Sequence, residues 1–374
     1  MIATQTELAR RLGLSRSTVA AALNPNSPVK LRETTRQLVI REAEKLNYRP
    51  NPHARLMRGG RSATIGIFHF GGLSQVAAER AWHVSRAIRA AGYRILSTDL
   101  SWTPGGARTG CEAMLDERVE GVIVAGLNDA ASLKELGELR RRGIPMVTLS
   151  GNELKGVPHI RGDASQAMGL LTRHLIGHGR RRLLLLSHYS SEIRSGTYLW
   201  AFPERLRGFR RALLAAAGKI VGKFSSRKST RIEGRVVPAS PSADPFDPFR
   251  DGARLMRQIL AEPAWPDAVL CGNDEWAVGA MSACGEAGLT IPDRMAFTGY
   301  DDNALGRYLD VPLTTIAQPN QAMAELAVEY LFEMIRHPRS ARVPALTKLP
   351  CELVIRKSCG THPAPVIQAG EGET

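Results

Sequence analysis

The sequence has little of what marks an exported or membrane-bound protein. Its five cysteines are odd in number and form no Cys-x-x-Cys pair, which argues against a disulfide framework and favours buried free thiols in a reducing compartment. No apolar run approaches the roughly 20 residues of a membrane-spanning helix. The first 25 residues are polar and arginine-bearing rather than a charged-then-apolar leader, so we expect a cytoplasmic protein without a membrane partner.

Acidic residues are also scarce relative to basic ones. The chain has 50 lysines and arginines against 36 aspartates and glutamates, a formal net charge of +14. Residues 1–62 alone hold twelve basic residues against four acidic ones, Glu7, Glu33, Glu42 and Glu44. Such a surplus says nothing about the fold, but it indicates a polyanionic partner that contacts the N-terminal segment.

Two regimes follow one another along the chain. Residues 1–48 show helical spacing without a strand-like run, whereas short apolar runs alternate with amphipathic stretches from Thr64 onward. This alternation predicts parallel, doubly wound sheets, and the length of the second regime predicts two of them. We expect strands over 64–70, 93–98, 121–125, 145–149, 182–187, 268–271 and 295–299. We expect helices over 76–91, 130–142, 164–178, 204–217, 252–261, 277–287 and 321–336.

Two proline-containing segments interrupt this pattern. Segment 49–62 contains Pro50, Pro52, Gly59 and Gly60 and is predicted to be a linker between the regimes. Segment 222–250 is basic and then proline-rich, which indicates a surface excursion. The residues after Gly360 have the composition of a disordered tail.

The first two helices have the spacing of a helix-turn-helix motif. Thr4 and Glu7 form a capping box that starts the first helix, because each side chain can satisfy a free backbone amide of the other. Gly13 ends this helix, and Ser15 can cap a second one over residues 16–23. In such a motif the N-terminal residues of the second helix enter the major groove of double-stranded DNA.

Residues of the second helix supply the first candidate DNA contacts. Arg16 can bond bidentately to guanine, whereas Ser17 discriminates between bases weakly. Thr18 and Asn24 suit phosphate contacts, which position the domain without reading sequence. The alternative is a three-helix packing unit that carries Arg16 only as an exposed side chain.

A third helix is predicted over residues 33–46, with an inner face formed by Leu38, Val39, Ala43 and Leu46. The segment after it has a cap at Asn51 and room for about two helical turns, too few to persist alone in water. We expect it to become helical on DNA and to insert Met57 between base steps from the minor groove. Tyr48 and Ala54 complete the candidate DNA contacts.

Longer motifs resemble those of one family. They are TELARRLGLSRSTVAAALN, EAEKLNYRPNPHARLMRGGRSATIGI, HLIGHGRRRLLLLS, ERLRGFRRAL, LCGNDEWAVGAMSACGEAGLTIPDRMAFTGYDD and PLTTIAQP. From Thr4 to Ser358 the chain resembles the lactose-repressor (LacI/GalR) family of bacterial transcriptional regulators. The resemblance implies a sensor of two doubly wound parallel-sheet subdomains, like the type I periplasmic sugar-binding proteins, and a homodimer on a pseudo-palindromic operator.

Some positions depart from the family pattern. Met57 stands where the family usually presents a leucine, and Ala21 stands where the recognition helix often carries an arginine. The turn over residues 25–31 is longer than usual, and the third helix lacks a serine or threonine cap. The operator sequence therefore does not carry over from relatives.

These features divide the chain into four parts. We expect an all-α helix-turn-helix DNA-binding domain at 1–50 and a hinge helix and linker at 51–62. An α/β effector-binding and dimerisation domain follows at 63–360, and the disordered tail occupies 361–374.

Candidate effector residues follow from the rule that ligands of parallel α/β sheets bind beyond the carboxyl ends of the strands. Phe70 ends the first predicted strand, Asn273 and Asp301 follow later strands, and Arg205 opens a helix. Arg205, Asn273 and Asp301 supply donors and acceptors for hydroxyls or carboxylates of a ligand, and Phe70 supplies an apolar wall. The resemblance also places Arg205, Asn273 and Asp301 at positions that contact effectors.

Each of these residues has a structural alternative. Asp301 could cap the segment after its strand, and Asn273 could satisfy loop amides. The strand end at Ser150 lacks the acid that many sugar-responsive relatives have there, which weakens a sugar assignment. Trp200 and Phe249 could stack on a ligand ring or serve packing alone.

Other signals point away from metal and enzyme chemistry. His174 and His178 have the spacing of a zinc pair, but no third ligand follows, so we expect no metal site. The glycine-rich stretch 105–110 is predicted to be a loop. No Gly-x-Ser-x-Gly elbow or cysteine–histidine motif occurs, so we expect no catalytic residue and no cofactor.

The sequence therefore predicts a DNA-binding transcriptional regulator, a repressor rather than an enzyme. Its operator affinity is expected to depend on a small-molecule effector, a sugar or sugar derivative, bound between the two subdomains. The alternatives are a solute-binding receptor without a DNA role and an enzyme on the same scaffold.

Overall fold

A computed structural model of the chain describes residues 4–23, 27, 29–48, 61–69, 75–99, 106–127, 130–188, 201–219, 232–239 and 247–360. The predicted DNA contacts Asn24, Asn51, Ala54 and Met57, the effector candidate Phe70 and the predicted tail 361–374 lie outside these residues. The chain divides into two compact units, Met1–Ser62 and Ala63–Thr374. None of the described helices has the length and apolarity required to cross a membrane.

The described part of the first unit contains three helices, α1 (Gln5–Leu12), α2 (Arg16–Leu23) and α3 (Glu33–Lys45). Leu8, Val19 and Val39, one from each helix, are fully buried together. The predicted ends are confirmed: the Thr4 hydroxyl accepts a hydrogen bond from the Glu7 amide, and Gly13 ends α1 with a positive φ of 62°. A left-handed residue at a helix C-terminus favours glycine because it lacks a Cβ atom.

Two details of the first unit differ from the sequence expectation. The Glu7 carboxylate accepts hydrogen bonds from Arg10 and Arg11, so it is engaged with the following turn. Leu38 was expected on the inner face of α3 but is 46% exposed, because the buried stripe runs through Val39 and Ala43 instead. The missing side-chain cap of α3 is confirmed.

The second unit begins with a lobe built on a six-stranded parallel sheet, which we call the first lobe. Its strands β1 (Thr64–His69), β2 (Arg94–Asp99), β3 (Gly121–Leu127), β4 (Met146–Gly151), β5 (His159–Gly162) and β11 (Leu346–Leu349) are arranged in the order β11-β5-β4-β3-β1-β2. Helices α4 (Gln75–Ala90) and α11 (Asn320–Arg336) cover one face, and α5 (Gly106–Asp116) and α6 (Ala130–Arg141) cover the other.

The second lobe has a four-stranded parallel sheet. Strands β6 (Arg182–His188), β7 (Glu233–Ala239), β8 (Ala268–Cys271) and β9 (Ala296–Thr298) pair in the order β7-β6-β8-β9. Helices α7 (Ala164–Gly177) and α8 (Ala201–Lys219) pack on one face, and α9 (Pro248–Leu260) and α10 (Asp274–Glu286) pack on the other. Strands β10 (Thr315–Ala317) and β12 (Glu352–Val354) form an antiparallel pair beside this lobe. The fold class predicted from the sequence is confirmed.

Within the described residues the chain passes between the lobes three times. These crossing segments are 162–164 from β5 to α7, 317–320 from β10 to α11, and 349–352 from β11 to β12. They lie close together, since a Cβ atom on Gly162 would stand 2.8 Å from the Cys351 sulfur and 3.5 Å from the Gln318 side-chain oxygen. The carboxyl end of the first-lobe sheet therefore meets the junction of the lobes.

Two sequence predictions for this unit are wrong. The stretch 105–110 was expected to be a loop, but α5 begins at Gly106. A Cβ atom on Gly110 would lie 2.6 Å from Phe68 and 2.7 Å from Thr98, so glycine here permits close packing of the helix on the sheet. The excursion predicted over 222–250 contains β7, which is a full member of the second sheet, and the start of α9.

Candidate functional site

The N-terminal turn of α2 is built to present side chains outward. Ser15, Arg16 and Ser17 are exposed, while Val19 one turn on is buried in the core. The Ser15 hydroxyl accepts a hydrogen bond from the Thr18 amide at 3.0 Å, as predicted for a cap, and lies 2.7 Å from the Ser17 hydroxyl. Capping fixes the direction of the helix axis, so the exposed positions have a defined orientation.

The other described candidates of the first unit serve packing or capping. Thr4 caps α1, and Tyr48 packs against the core of the three helices. Ala21, where relatives often carry arginine, is 7% exposed.

Arg205 lies in the second turn of α8, because that helix begins at Ala201 rather than at the predicted residue 204. Its guanidinium stands 4.0 Å over the centre of the Tyr300 ring, and the residue is only 8% exposed. Tyr300 is itself buried, with its hydroxyl 3.8 Å from the Cys351 sulfur. The Arg205 Nε atom is buried and has no hydrogen-bond partner among the described residues. A buried guanidinium with an unsatisfied donor is a candidate ligand contact.

Asp301 follows β9 with a positive φ of 113°. Its amide donates to the Ile316 carbonyl at 2.8 Å, and its Oδ1 accepts a hydrogen bond from Gln318 Nε2 at 2.5 Å. Burial raises the pKa of this carboxyl, and the charges of Arg205 and Arg80 oppose that rise. Asp301 is therefore held by a crossing segment of the lobe junction, where the charges of two guanidinium groups act on it.

The loop that follows β9 is held by Asp274 and not by Asp301, which the sequence suggested as its cap. The two carboxylate oxygens of Asp274 accept hydrogen bonds from the Asn303 amide and the Thr315 hydroxyl, both at 2.5 Å. Asp274 is 1% exposed, and burial raises its pKa well above the ordinary range. Asp274 thus fixes the loop, whereas the carboxylate of Asp301 accepts its hydrogen bond from Gln318 of a crossing segment.

Asn273 is the N-cap of α10. Its Oδ1 accepts a hydrogen bond from the Trp276 amide at 2.8 Å, which is the structural alternative considered from the sequence. The side-chain oxygen is thus engaged in holding the helix start.

Arg80, on α4 of the first lobe, is a polar residue of the junction that sequence reasoning missed. It is 7% exposed, and its guanidinium donates to Asn320 Oδ1 and to Gln318 Oε1, each at 2.9 Å. Gln318 in turn donates to Asp301. A continuous hydrogen-bonded chain therefore runs from the first lobe through a crossing segment to the second lobe. Gln318 lies in a motif already noted, but only the fold shows that Arg80 reaches it.

His174 and His178 do not face a common ligand. His174 Nε2 lies 3.3 Å from the Cys359 sulfur, and His178 Nδ1 lies 2.8 Å from the His174 carbonyl oxygen. All five cysteines are buried, as expected. Phe249, an alternative ring contact, is partly buried in the first turn of α9.

Comparison with known proteins identifies the family. Residues 172–359, half of the chain, match the periplasmic binding protein-like domain, and residues 90–229 match the periplasmic binding proteins and sugar binding domain of the LacI family. The chain belongs to the LacI/GalR family. The resemblance stated from the sequence motifs is confirmed.

Relatives within the family match over almost the full length. The chain is 29% identical over 359 residues to the HTH-type transcriptional repressor PurR of Pasteurella multocida, covering 96% of this chain and 98% of the relative. It is 28% identical over 340 residues to the ribose operon repressor of Escherichia coli K12, covering 90% and 94%.

Solved structures of other proteins share the fold. The lac repressor dimer bound to operator and the anti-inducer ONPF superposes with a TM-score of 0.78 at 23% identity, covering 96% of this chain and 99% of that one. The complex of the transcriptional regulator CelR with cellobiose gives a TM-score of 0.63 at 22% identity, covering 95% and 99%. At these identities the likeness establishes the fold alone.

Proposed function

We propose that this LacI/GalR protein is a cytoplasmic, homodimeric transcriptional repressor and not an enzyme. It binds a pseudo-palindromic operator through α2, and a small-molecule effector at the lobe junction controls its operator affinity. The observation that carries the proposal is the presence of two distinct sites on one chain. A capped helix presents Arg16 to solvent, and a buried polar cluster with an unsatisfied Arg205 lies where three chain segments connect two lobes.

On the DNA side, Arg16 and Ser17 are proposed to contact base edges, and Ser15 and Thr18 are proposed to orient them or contact phosphate. Thr4 supports this surface by capping α1. The further candidates Asn24, Tyr48, Asn51, Ala54 and Met57 remain predictions from the sequence. The support is the basic surplus of residues 1–62 together with repressor relatives that match over 96% of the chain.

On the effector side, Arg205 and Asp301 are proposed as the principal contacts. Asn273 is a weaker candidate, because its oxygen already caps α10, and Phe70 stays a prediction. The hydrogen-bonded chain from Arg80 through Gln318 to Asp301 crosses between the lobes. A ligand that engages Asp301 therefore acts on a contact that spans both lobes. It shifts the relative stability of their arrangements only by as much as it prefers one of them.

The test is operator binding by the full-length protein. DNA sites selected from a random duplex library should share a two-fold symmetric consensus, and Arg16→Ala should lose the preference at one position of each half-site. Selection without any consensus, from a protein that still binds small molecules, would instead identify a solute receptor without a DNA role. Turnover of a bound compound by the purified protein would identify an enzyme.

A further inference from the structure

The lobe junction holds two buried guanidinium groups. Arg80 and Arg205 are 7% and 8% exposed, and the partly buried Asp301 carboxylate is near enough to both for their charges to act on it. Each arginine interacts electrostatically with Asp301, but neither forms a hydrogen bond or direct ion pair with it among the described residues. Two guanidinium groups thus share one carboxylate that contacts neither of them.

Among the described residues, the remaining acids near the junction form no ion pair with Arg80 or Arg205. Glu79 is about half exposed and accepts a hydrogen bond from Asn320, so solvent screens its charge. Asp274 accepts hydrogen bonds from Asn303 and Thr315, and burial raises its pKa well above the ordinary range, which favours the neutral acid. Glu275 accepts a hydrogen bond from Asn303, and burial together with the charge of Asp301 raises its pKa to about 7. Asp163 caps α7 through the Gln166 amide.

The hydrogen bonds that the two guanidinium groups form do not pair their positive charges with a negative one. Both partners of Arg80 are neutral amide oxygens, which orient the guanidinium without compensating its charge. Arg205 Nε has no partner among the described residues. A buried cation and a buried unsatisfied donor are both costly, and an anion that accepts from a guanidinium fork relieves both costs.

The first lobe contributes a neutral hydrogen-bond donor, the hydroxyl of Ser150, near the junction. β4 pairs with β3 as far as Gly151 and with β5 at Thr148 and Leu149, so Ser150 lies at the carboxyl end of the sheet, which meets the crossing segments. Ser150 is 1% exposed, and its hydroxyl has no partner in the described part of the chain. A hydroxyl at this edge can donate to an anionic ligand, whereas a carboxylate would repel it.

We propose that the effector of this protein carries an anionic group, a carboxylate or phosphate, held by Arg80 and Arg205. Asp301 then accepts hydrogen bonds from hydroxyl groups on the rest of the ligand. The proposal rests on the proposed effector site, and it makes Arg80 the residue that selects acids over neutral sugars.

The test measures binding to the full-length protein by thermal shift and calorimetry at constant ionic strength. The probes are matched sets: glucose with gluconate and glucose 6-phosphate, galactose with galacturonate and galactose 1-phosphate, and ribose with ribonate and ribose 5-phosphate. Acetate and inorganic phosphate control for simple anion binding. At least one acid or phosphate ester should bind at least tenfold more tightly than its neutral partner. Comparison of the sugar acids with the sugar phosphates shows whether a carboxylate or a phosphate is preferred.

Variants tie the effect to the residue. Arg80→Met should weaken binding of that anion by about 10- to 100-fold, the usual loss for a hydrogen bond to a charged group. Arg80→Lys, which keeps the charge but not the planar fork, should recover part of it. Arg89→Met removes an exposed arginine from the same helix and should leave anion binding unchanged.

Three results overturn the proposal: no anionic probe binds, a neutral sugar binds as tightly as its acid, or Arg80→Met at an unchanged melting temperature keeps full anion affinity. If Arg80→Met lowers the melting temperature, Arg80→Lys is the deciding variant, because it keeps the positive charge. If Arg80→Lys recovers none of the lost anion affinity, Arg80 has a packing role and the proposal is wrong. Operator titration of the same samples is a separate readout, so these failures leave the DNA-binding function standing. Loss of operator binding with intact anion binding would instead refute the proposed function.

Discussion

Replacing Asp301 by asparagine should remove the effector response at concentrations that just saturate the unaltered protein, without destabilising the fold. Asparagine tolerates the positive φ of 113° about as well as aspartate and retains an oxygen to accept the Gln318 hydrogen bond. Burial raises the pKa of Asp301, so its ionised form destabilises the folded state once the pH lies above the unfolded value. A neutral side chain removes that cost, and the melting temperature should stay constant or rise at neutral pH.

The loss in effector affinity follows from the charge that asparagine lacks. A hydrogen bond to a charged group contributes about 1.5–3 kcal/mol, which corresponds to a loss of about 10- to 150-fold. Operator affinity without effector should change by less than about threefold, since the coupling term is absent in that state.

Asp302→Asn is the matched control. The neighbouring carboxylate pairs with Arg307 at 2.8 Å and with Arg356 at 2.5 Å, so its removal should cost about 1–3 kcal/mol and keep the effector response. With about 2–4 °C per kcal/mol, its melting temperature should fall by roughly 2–12 °C. Calorimetric melting and operator titration decide the matter on both variants. A large fall in melting temperature together with weaker operator binding for Asp301→Asn would make Asp301 structural and refute this reasoning.

Three further substitutions test other parts of the molecule. Arg16→Ala should relax base preference at one operator position at a cost of about 1–3 kcal/mol in a titration against single-base variants, whereas equal weakening on all sequences would assign Arg16 to phosphate. Glu275 has a pKa raised from 4.5 to about 7, so its contribution to stability is full below pH 4.5 and is lost as the pH rises through 7. Glu275→Gln should flatten this part of the pH–stability curve, and an unchanged curve would contradict the assignment. In Gly208→Ala, the new Cβ atom would collide with the Ser165 carbonyl of α7, which should destabilise the protein by about 1–3 kcal/mol in denaturant unfolding; unchanged stability would show that the helices can separate.

The fold class followed from the sequence because the long apolar strands and the amphipathic helices carry strong periodic signals. Where the prediction failed, the signal was short or misleading. β10 and β12 have three residues each and gain their pairing from contacts distant in sequence. The glycines at the start of α5 suggested a loop, although Gly110 serves close packing against Phe68 and Thr98.

The candidate site could be predicted only as a set of strand ends. Arg205 and Asp301 were placed from that rule, and the structure brings both close to Tyr300 at the lobe junction. The sequence suggested Asp301 as a possible cap of this loop and did not single out Asp274, since both acids follow strands of the same sheet. Arg80 resembles any exposed arginine of an amphipathic helix, and its burial depends on Gln318 and Asn320, more than 200 positions later.

The central claim is that the DNA-reading unit and the lobe junction are energetically coupled in one chain. The most direct test is the operator affinity of the full-length protein, measured by fluorescence anisotropy while titrating the compound that raises its melting temperature most. Coupling free energies between sites are typically about 1–3 kcal/mol, so the operator Kd should change by about 5- to 150-fold at saturation. The affinity for the compound should change by the same factor when operator is present. An operator Kd that stays constant while the compound saturates the protein would contradict the claim.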